Sequence, residues 1–191
     1  MHKPYGAHEM MEIHEVLTDT IDGINQFQLY AAYCQDPQLQ NILQNQIRFM
    51  TDEYNQMLQT VKNHSEMRSD YRMMQNTTPA YGMNNAGAGT AEMPNTSTQQ
   101  MNDHDISSGM LGCAKASATL RMHAALECGD PEIRDMMVQG AANCADQAYE
   151  TWTYMNNNGY YQVPTLPEQA ERTIMNGYQP ASNLNNGQLQ Q

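Results

Sequence analysis

Residues 33–43 read YCQDPQLQNIL and residues 127–137 read ECGDPEIRDMM. Cys, Asp and Pro coincide at an offset of 94 positions, and the same offset pairs Leu17 with Leu111, Ala31 with Ala125 and Asp52 with Asp146. Apolar residues follow: Val16 with Met110, Leu39 with Ile133, Leu43 with Met137. A chain that carries one pattern twice builds one supersecondary unit twice, and that removes most other folds from consideration.

Each copy reads as two helices around a turn. In the first, Met10, Ile13, Leu17, Ile21 or Thr20, Ile24, Gln28 and Ala31 recur at three-four spacing, the period of a helix face. Asp36-Pro37 then restarts the chain, with Asp as N-cap and Pro in the first turn. Leu39, Leu43, Ile47, Met50, Tyr54, Met57 and Val61 form the second stripe. In the second copy the stripes are Ile106, Met110, Cys113, Ser117, Leu120 and Ala124, then Ile133, Met137, Ala141, Cys144, Ala148, Trp152 and Met155, divided by Asp130-Pro131. NNNG at 156–159 ends the last helix. The second pair is rich in Gly and Ala, which lets helix backbones approach closely.

The spacing predicts an all-α chain in four parts: a first hairpin over 1–63, a low-complexity crossover linker over 64–101, a second hairpin over 102–158 and a Tyr/Pro/Gln-rich arm over 159–191. Helices of about 25 residues are roughly 40 Å long, and a linker of this length spans that distance easily. A long middle connection between two hairpins is the ferritin-like four-helix bundle topology. Two hairpins that pair with those of other chains bury the same stripes. The arm reads either as a disordered tail or as a segment that packs on the bundle or a neighbour, with a short helix in QAERTIMNGY.

Charge and composition exclude some functions. The net charge of −12 argues against nucleic acid as a partner. No apolar run approaches the ~18 residues of a membrane span, and MHKPYGAHEM lacks the apolar core of a secretory signal, so a protein made in the cytoplasm, without membrane insertion, is expected. The four cysteines contain no CxxC and match no zinc spacing.

A ferritin-like oxidase holds its metals on inward Glu and Glu-x-x-His residues at mid-helix. Here the inward mid-helix positions are Thr20, Ile47 or Met50, Ser117, and Ala141 or Cys144, while Glu53 and Asp146 lie beside the stripe. No catalytic residue and no cofactor is expected. HEMMEIHE at 8–15 resembles a zinc-protease signature but puts Glu12 where the second His belongs. Its bland reading is a solvated acidic face near a helix N-terminus, with Met10 and Ile13 on the seam. Its sharper reading is an end-of-bundle metal site using His8, Glu12 and Glu15. Cys113 and Cys144 are seam residues at similar height, roughly 22 Å from the turn, and form either two buried hydrophobes or an intramolecular disulfide. Cys34 and Cys128 sit at turns on opposite ends, so they can bond only to other molecules or remain unreactive thiols.

The stretches YGAHEMMEIHEVLTDTIDGINQFQLY, FMTDEYNQML, SSGMLGCAKASATLRMHAALEC and CADQAYETWTYMNNNGYYQVPTL resemble the Coat F family of bacterial spore coat proteins. The resemblance implies a ferritin-like helical protein made in the mother-cell cytoplasm and deposited in the endospore coat. It implies a structural role: self-assembly, or cross-linking through Tyr, Gln and Cys, into a coat layer or fibre with copies of itself and other spore coat proteins. Two other readings stand beside it, a ferritin-like metal-dependent redox enzyme and an adaptor that docks another coat protein through the Met-rich linker.

Overall fold

A computed structural model describes residues 5–63, 69–74, 78–83 and 93–181. The expected linker at 64–101 and arm at 159–191 therefore lie partly outside the described residues. Four long helices make up the body: α1 (Ala7–Ala31), α2 (Pro37–Asn63), α3 (Asp103–Glu127) and α4 (Pro131–Asn157). Their lengths run 25, 27, 25 and 27 residues, so the repeat in sequence is a repeat in structure. A short α5 (Glu168–Met175) follows in the arm. No strand is present among the described residues, only a single bridge between Gly82 and Val163.

The turn chemistry works as the sequence predicts. Asp36 accepts hydrogen bonds from the N–H groups of Gln38 (2.7 Å) and Leu39 (3.0 Å), and Asp130 does the same for Glu132 (2.9 Å) and Ile133 (3.4 Å). These bonds satisfy first-turn donors that have no partner within the helix. Pro37 and Pro131 open their helices, where a missing N–H costs nothing. At the far end, Gly159 takes φ 76°, and its N–H closes on Asn156.

Each long helix packs on two others: α1 on α2 and α3, α4 on α3 and α2, with α3 against α4 the closest pair. The Gly and Ala residues of that pair explain its intimacy. Neighbours run antiparallel. Tyr5 at the start of α1 reaches Val61 at the end of α2, His8 reaches Glu127 at the end of α3, and Gln46 near the start of α2 reaches Gln147 towards the end of α4.

The two hairpins grip each other at both ends by the same device. Glu9 accepts from the Asp130 N–H at 2.8 Å. Asp103 accepts from the N–H groups of Gln35 (2.8 Å) and Asp36 (3.1 Å). Asp103 is Glu9 shifted by 94 positions, and Asp130 is Asp36 shifted by 94. A carboxylate at the start of each hairpin thus holds the turn of the other. Such charge-assisted bonds to backbone amides are stronger than neutral ones.

This clasp corrects part of the helix-face reading. Glu9 is buried and Met10 is 42% exposed, the reverse of the expected seam. Thr20 is inside and Ile21 outside, and Gln28 faces solvent. The buried face of α1 is Ile13, Val16, Thr20, Gly23 and Phe27, because the helix turns its first carboxylate inward to meet the opposite turn.

Apolar packing falls into two clusters. One, at the Cys34 end, contains Phe27, Leu39, Leu43, Ile106, Met110 and Tyr154. The other, at the Cys128 end, contains Ile13, Val16, Met57, Ala124, Ile133 and Met137. What lies between them is polar.

Candidate functional site

The middle of the core holds a buried ion pair. Arg121 from α3 donates through Nη1 to Glu53 Oε2 of α2 at 2.6 Å, and through Nη2 to Thr20 Oγ1 of α1 at 3.0 Å. Asn143 of α4 donates to Glu53 Oε1 at 2.7 Å. All four helices meet in this cluster, and all four residues are buried. Burial works against the charge on Arg121, but Glu53 outweighs it and holds the guanidinium above its ordinary range. The space for the guanidinium exists because position 140 is glycine: a Cβ there would lie 2.5 Å from Arg121 Nη1.

Glu53 was expected beside the stripe, and Arg121 was not expected inside. Both lie at the level where the ferritin-like comparison looks for metal ligands. The repeat marks the spot. Arg121 stands where the first copy has Phe27, and Gly140 stands where it has Gln46. A bulky charge and an adjacent glycine, both replacing large residues of the other copy, are the signal that could have found this pair.

A second polar cluster docks part of the linker. Tyr71 is buried and its hydroxyl donates to Glu150 of α4. The Glu150 carboxylate also accepts from Met74 N (2.5 Å) and from Gln46 Nε2 (3.3 Å). Asn143 completes the attachment, accepting from Tyr71 N (3.0 Å) and donating to Ser69 O (2.8 Å). Asn156 holds Ala80 through both its backbone N–H and its carbonyl, at 2.7 and 3.0 Å. Burial, then Glu150, push the Tyr71 hydroxyl far above its usual range, so it remains a donor. Residues 69–74 are therefore part of the packed body, although their composition reads as loop.

The cysteines separate by environment. Cys113 and Cys144 line one small cavity of about 10 Å³, together with Asp19, Thr20 and Gly23, and their thiols are free. Cys34 lies at its turn and is buried, with its thiol against Asp36 O. Burial, then Asp103, push it up to about 12. Cys128, at the opposite end, is only partly buried. Burial, then Glu9 and Glu12, push its thiol from 9.0 to about 11.

The thiolate is the reactive form, so a thiol pushed up to about 11 leaves Cys128 about 100-fold less thiolate than an ordinary cysteine at neutral pH. Maleimide labelling with peptide mapping is expected to find Cys128 before Cys34 and Cys144. Its rate should climb about tenfold per pH unit from pH 7 to 10. A rate that levels off below pH 9 would disprove the shift.

HEMMEIHE occupies the first two turns of α1. His8 is exposed and pairs with Glu127 at 3.1 Å, Glu12 is half-buried beside Cys128, and Glu15 faces solvent. Ile13 of the motif is in the core, and its buried carboxylate is Glu9, whose role is the clasp. Among the described residues no group of three or more His, Cys, Asp or Glu side chains is arranged to hold a metal ion.

Outside the core, aromatic side chains gather near the end of α4. Tyr149 stacks on Trp152 at 5.7 Å, Tyr161 meets Trp152 edge-on at 6.2 Å, and Lys115 lies 5.6 Å above the Tyr161 ring. Tyr81, Tyr149, Tyr160, Tyr161 and Tyr178 are all exposed.

Against known proteins, the chain is 34% identical over 182 residues to the spore coat protein F-like protein YhcQ of Bacillus subtilis (strain 168), covering 92% of this chain and 81% of the relative. The chain belongs to the Coat F family. The pattern that describes the Coat F domain matches residues 102–164 of this Coat F chain, the second hairpin and the start of the arm. A crystal structure from Bacillus halodurans C-125, assigned as a spore coat protein, superposes with a TM-score of 0.63 at 16% identity, covering 87% of this chain and 97% of that one. That likeness shows that the helical fold is shared. The Coat F resemblance read from the helical segments is thereby shown.

Proposed function

We propose that this chain is a structural component of the bacterial endospore coat. It is made in the mother-cell cytoplasm and deposited on the developing spore, where it joins copies of itself and other coat proteins. The observation that carries this reading is the 34% identity to a spore coat protein F-like relative over 92% of the chain. The scaffold is a ferritin-like four-helix bundle of two hairpins, and its antiparallel neighbours and reciprocal end clasps support that assignment. At the level where a ferritin-like oxidase gathers carboxylates around metals, this chain carries its own cation, Arg121, on Glu53. Non-enzymatic building work suits that arrangement better than metal-dependent redox chemistry.

Exposed tyrosines are the side chains for covalent reinforcement between copies. Of the two turn cysteines, Cys128 is the accessible one for intermolecular disulfides. A fluorescent fusion followed through sporulation, with extraction of washed spores, tests the proposal. The fusion should form a shell around the spore, and the native chain should extract in bands above the monomer. Diffuse signal in the mother cell, with none in washed spores, would refute the coat assignment. About two metal ions per chain in the purified protein would return the enzyme reading.

A further inference from the structure

Two surfaces lack a counterpart among the described residues, and they match each other. The first is a groove on the outer face of the α3–α4 pair, about 630 Å³ in volume. Small residues, Ala118, Ala142 and Ala145 among them, form its floor, and Met122, Leu126 and Val138 line its sides. All three larger residues are exposed, Leu126 at 79%. No lining residue is acidic, in a chain of net charge −12.

The second surface is α5, which buries no residue. Ala170 and Ile174, four positions apart, share one face of α5, and Leu166 and Tyr178 flank the helix on either side. Leu166, Ile174 and Tyr178 are more than half exposed. An eight-residue helix is too short to be stable alone in water, and its apolar face needs a surface.

We propose that α5 of one copy lies in the α3–α4 groove of the next. The inference rests on the assembly reading and names its contact. The dimensions agree: α5 is about 12 Å long, the same rise as Ala118 to Leu126 along α3. A floor of alanines lets a helix approach closely. The acidic first turn of α5, Glu168 and Glu171, meets no carboxylate in the groove lining, where the ionisable group is His123. Elsewhere two copies of so acidic a chain repel each other.

In this structure α5 does not occupy the groove of its own copy: it buries no residue, and none of its residues lines the groove. The arm is held at the other half of the hairpin, with Tyr161 against Trp152 and Gly82 N–H donating to Val163 O at 2.8 Å. A contact that joins α5 to a different surface on the neighbour is heterologous, and where its rotation does not close into a ring it propagates into an open chain of copies.

The test is sedimentation velocity of the full chain in reductant, with Ile174→Asp and Ala142→Arg as variants. Both residues are exposed, so circular dichroism should show parental melting. The parent should form species that lengthen with concentration, and each variant should be monomeric. A one-to-one mixture of the variants should give a discrete dimer, because one intact helix and one intact groove remain between them. Variants that assemble like the parent, a mixture that stays monomeric, or a monomeric parent would each overturn the contact. A chain carrying Ile174→Cys and Ala142→Cys, cross-linked with a bismaleimide, separates the remaining occupants. A 142–174 link between two chains supports the exchange, and a link within a monomer puts α5 in its own groove and overturns it. The coat reading fails separately, if the parent itself is absent from washed spores.

Discussion

Glu53→Ala lowers the stability of this chain by about 3–5 kcal/mol, the usual cost of removing one partner from a buried ion pair. The penalty comes from what remains. Arg121 is 2% exposed, and without Glu53 its charge keeps only the Thr20 hydroxyl as a partner among the bonds described above. Asn143 loses an acceptor at the same time. For a chain of this size the melting temperature should fall on the order of 10 °C. Replacing both partners tells the pair's own worth. Glu53→Met combined with Arg121→Met should recover most of the loss, since apolar replacements of buried pairs are often neutral. A double variant as unstable as Glu53→Ala would contradict this account. Urea melts of the parent, both single variants and the pair supply the cycle.

Glu150→Ala is expected to cost about 3 kcal/mol, because its carboxylate is the acceptor for three donors and bonds to charged groups are the stronger kind. The loss has a second readout. Tyr71 and Met74 are held to α4 through this carboxylate, so the segment that follows α2 should open. Limited proteolysis should then cut at Tyr71 and Arg72 faster than in the parent, while the helical hairpins survive as fragments. Tyr71→Phe should show a smaller version of both effects, since it keeps the ring packed at 5.0 Å against Phe49 and loses only the hydroxyl. Cleavage rates equal to the parent's would show that the linker is held by something else.

The fold was largely legible because its strongest signals are local and doubled. Asp-Pro at both turns, NNNG at the last helix end and the three-four stripes each act within a few residues. The offset of 94 then ties the copies together. Thr20 stood beside Ile21 as an open alternative and is the buried one, but the start of the α1 face was misread by one position, since Met10 outscores Glu9 on hydrophobicity. What reverses the order is a hydrogen bond to a turn more than a hundred residues away. The central pair was missed for a similar reason. A stripe search rewards apolar side chains, and Glu53 and Arg121 are inside only because each satisfies the other. Tyr71 carried no periodic signal, because it is a single anchor in an irregular segment. The thiols of the turn cysteines are shifted by burial and by carboxylates such as Asp103 and Glu9, which spacing alone does not identify.

The paired clasps also decide how the molecule bears load. Glu9 on the Asp130 amide and Asp103 on the Gln35 and Asp36 amides sit at opposite ends of the long axis. A force that slides one hairpin past the other strains both at once, in either direction, instead of peeling them one after the other. The two halves therefore resist as a lap joint loaded in shear, where the bonds share the force and the whole overlap must give way together. That geometry puts the greatest resistance along the helices.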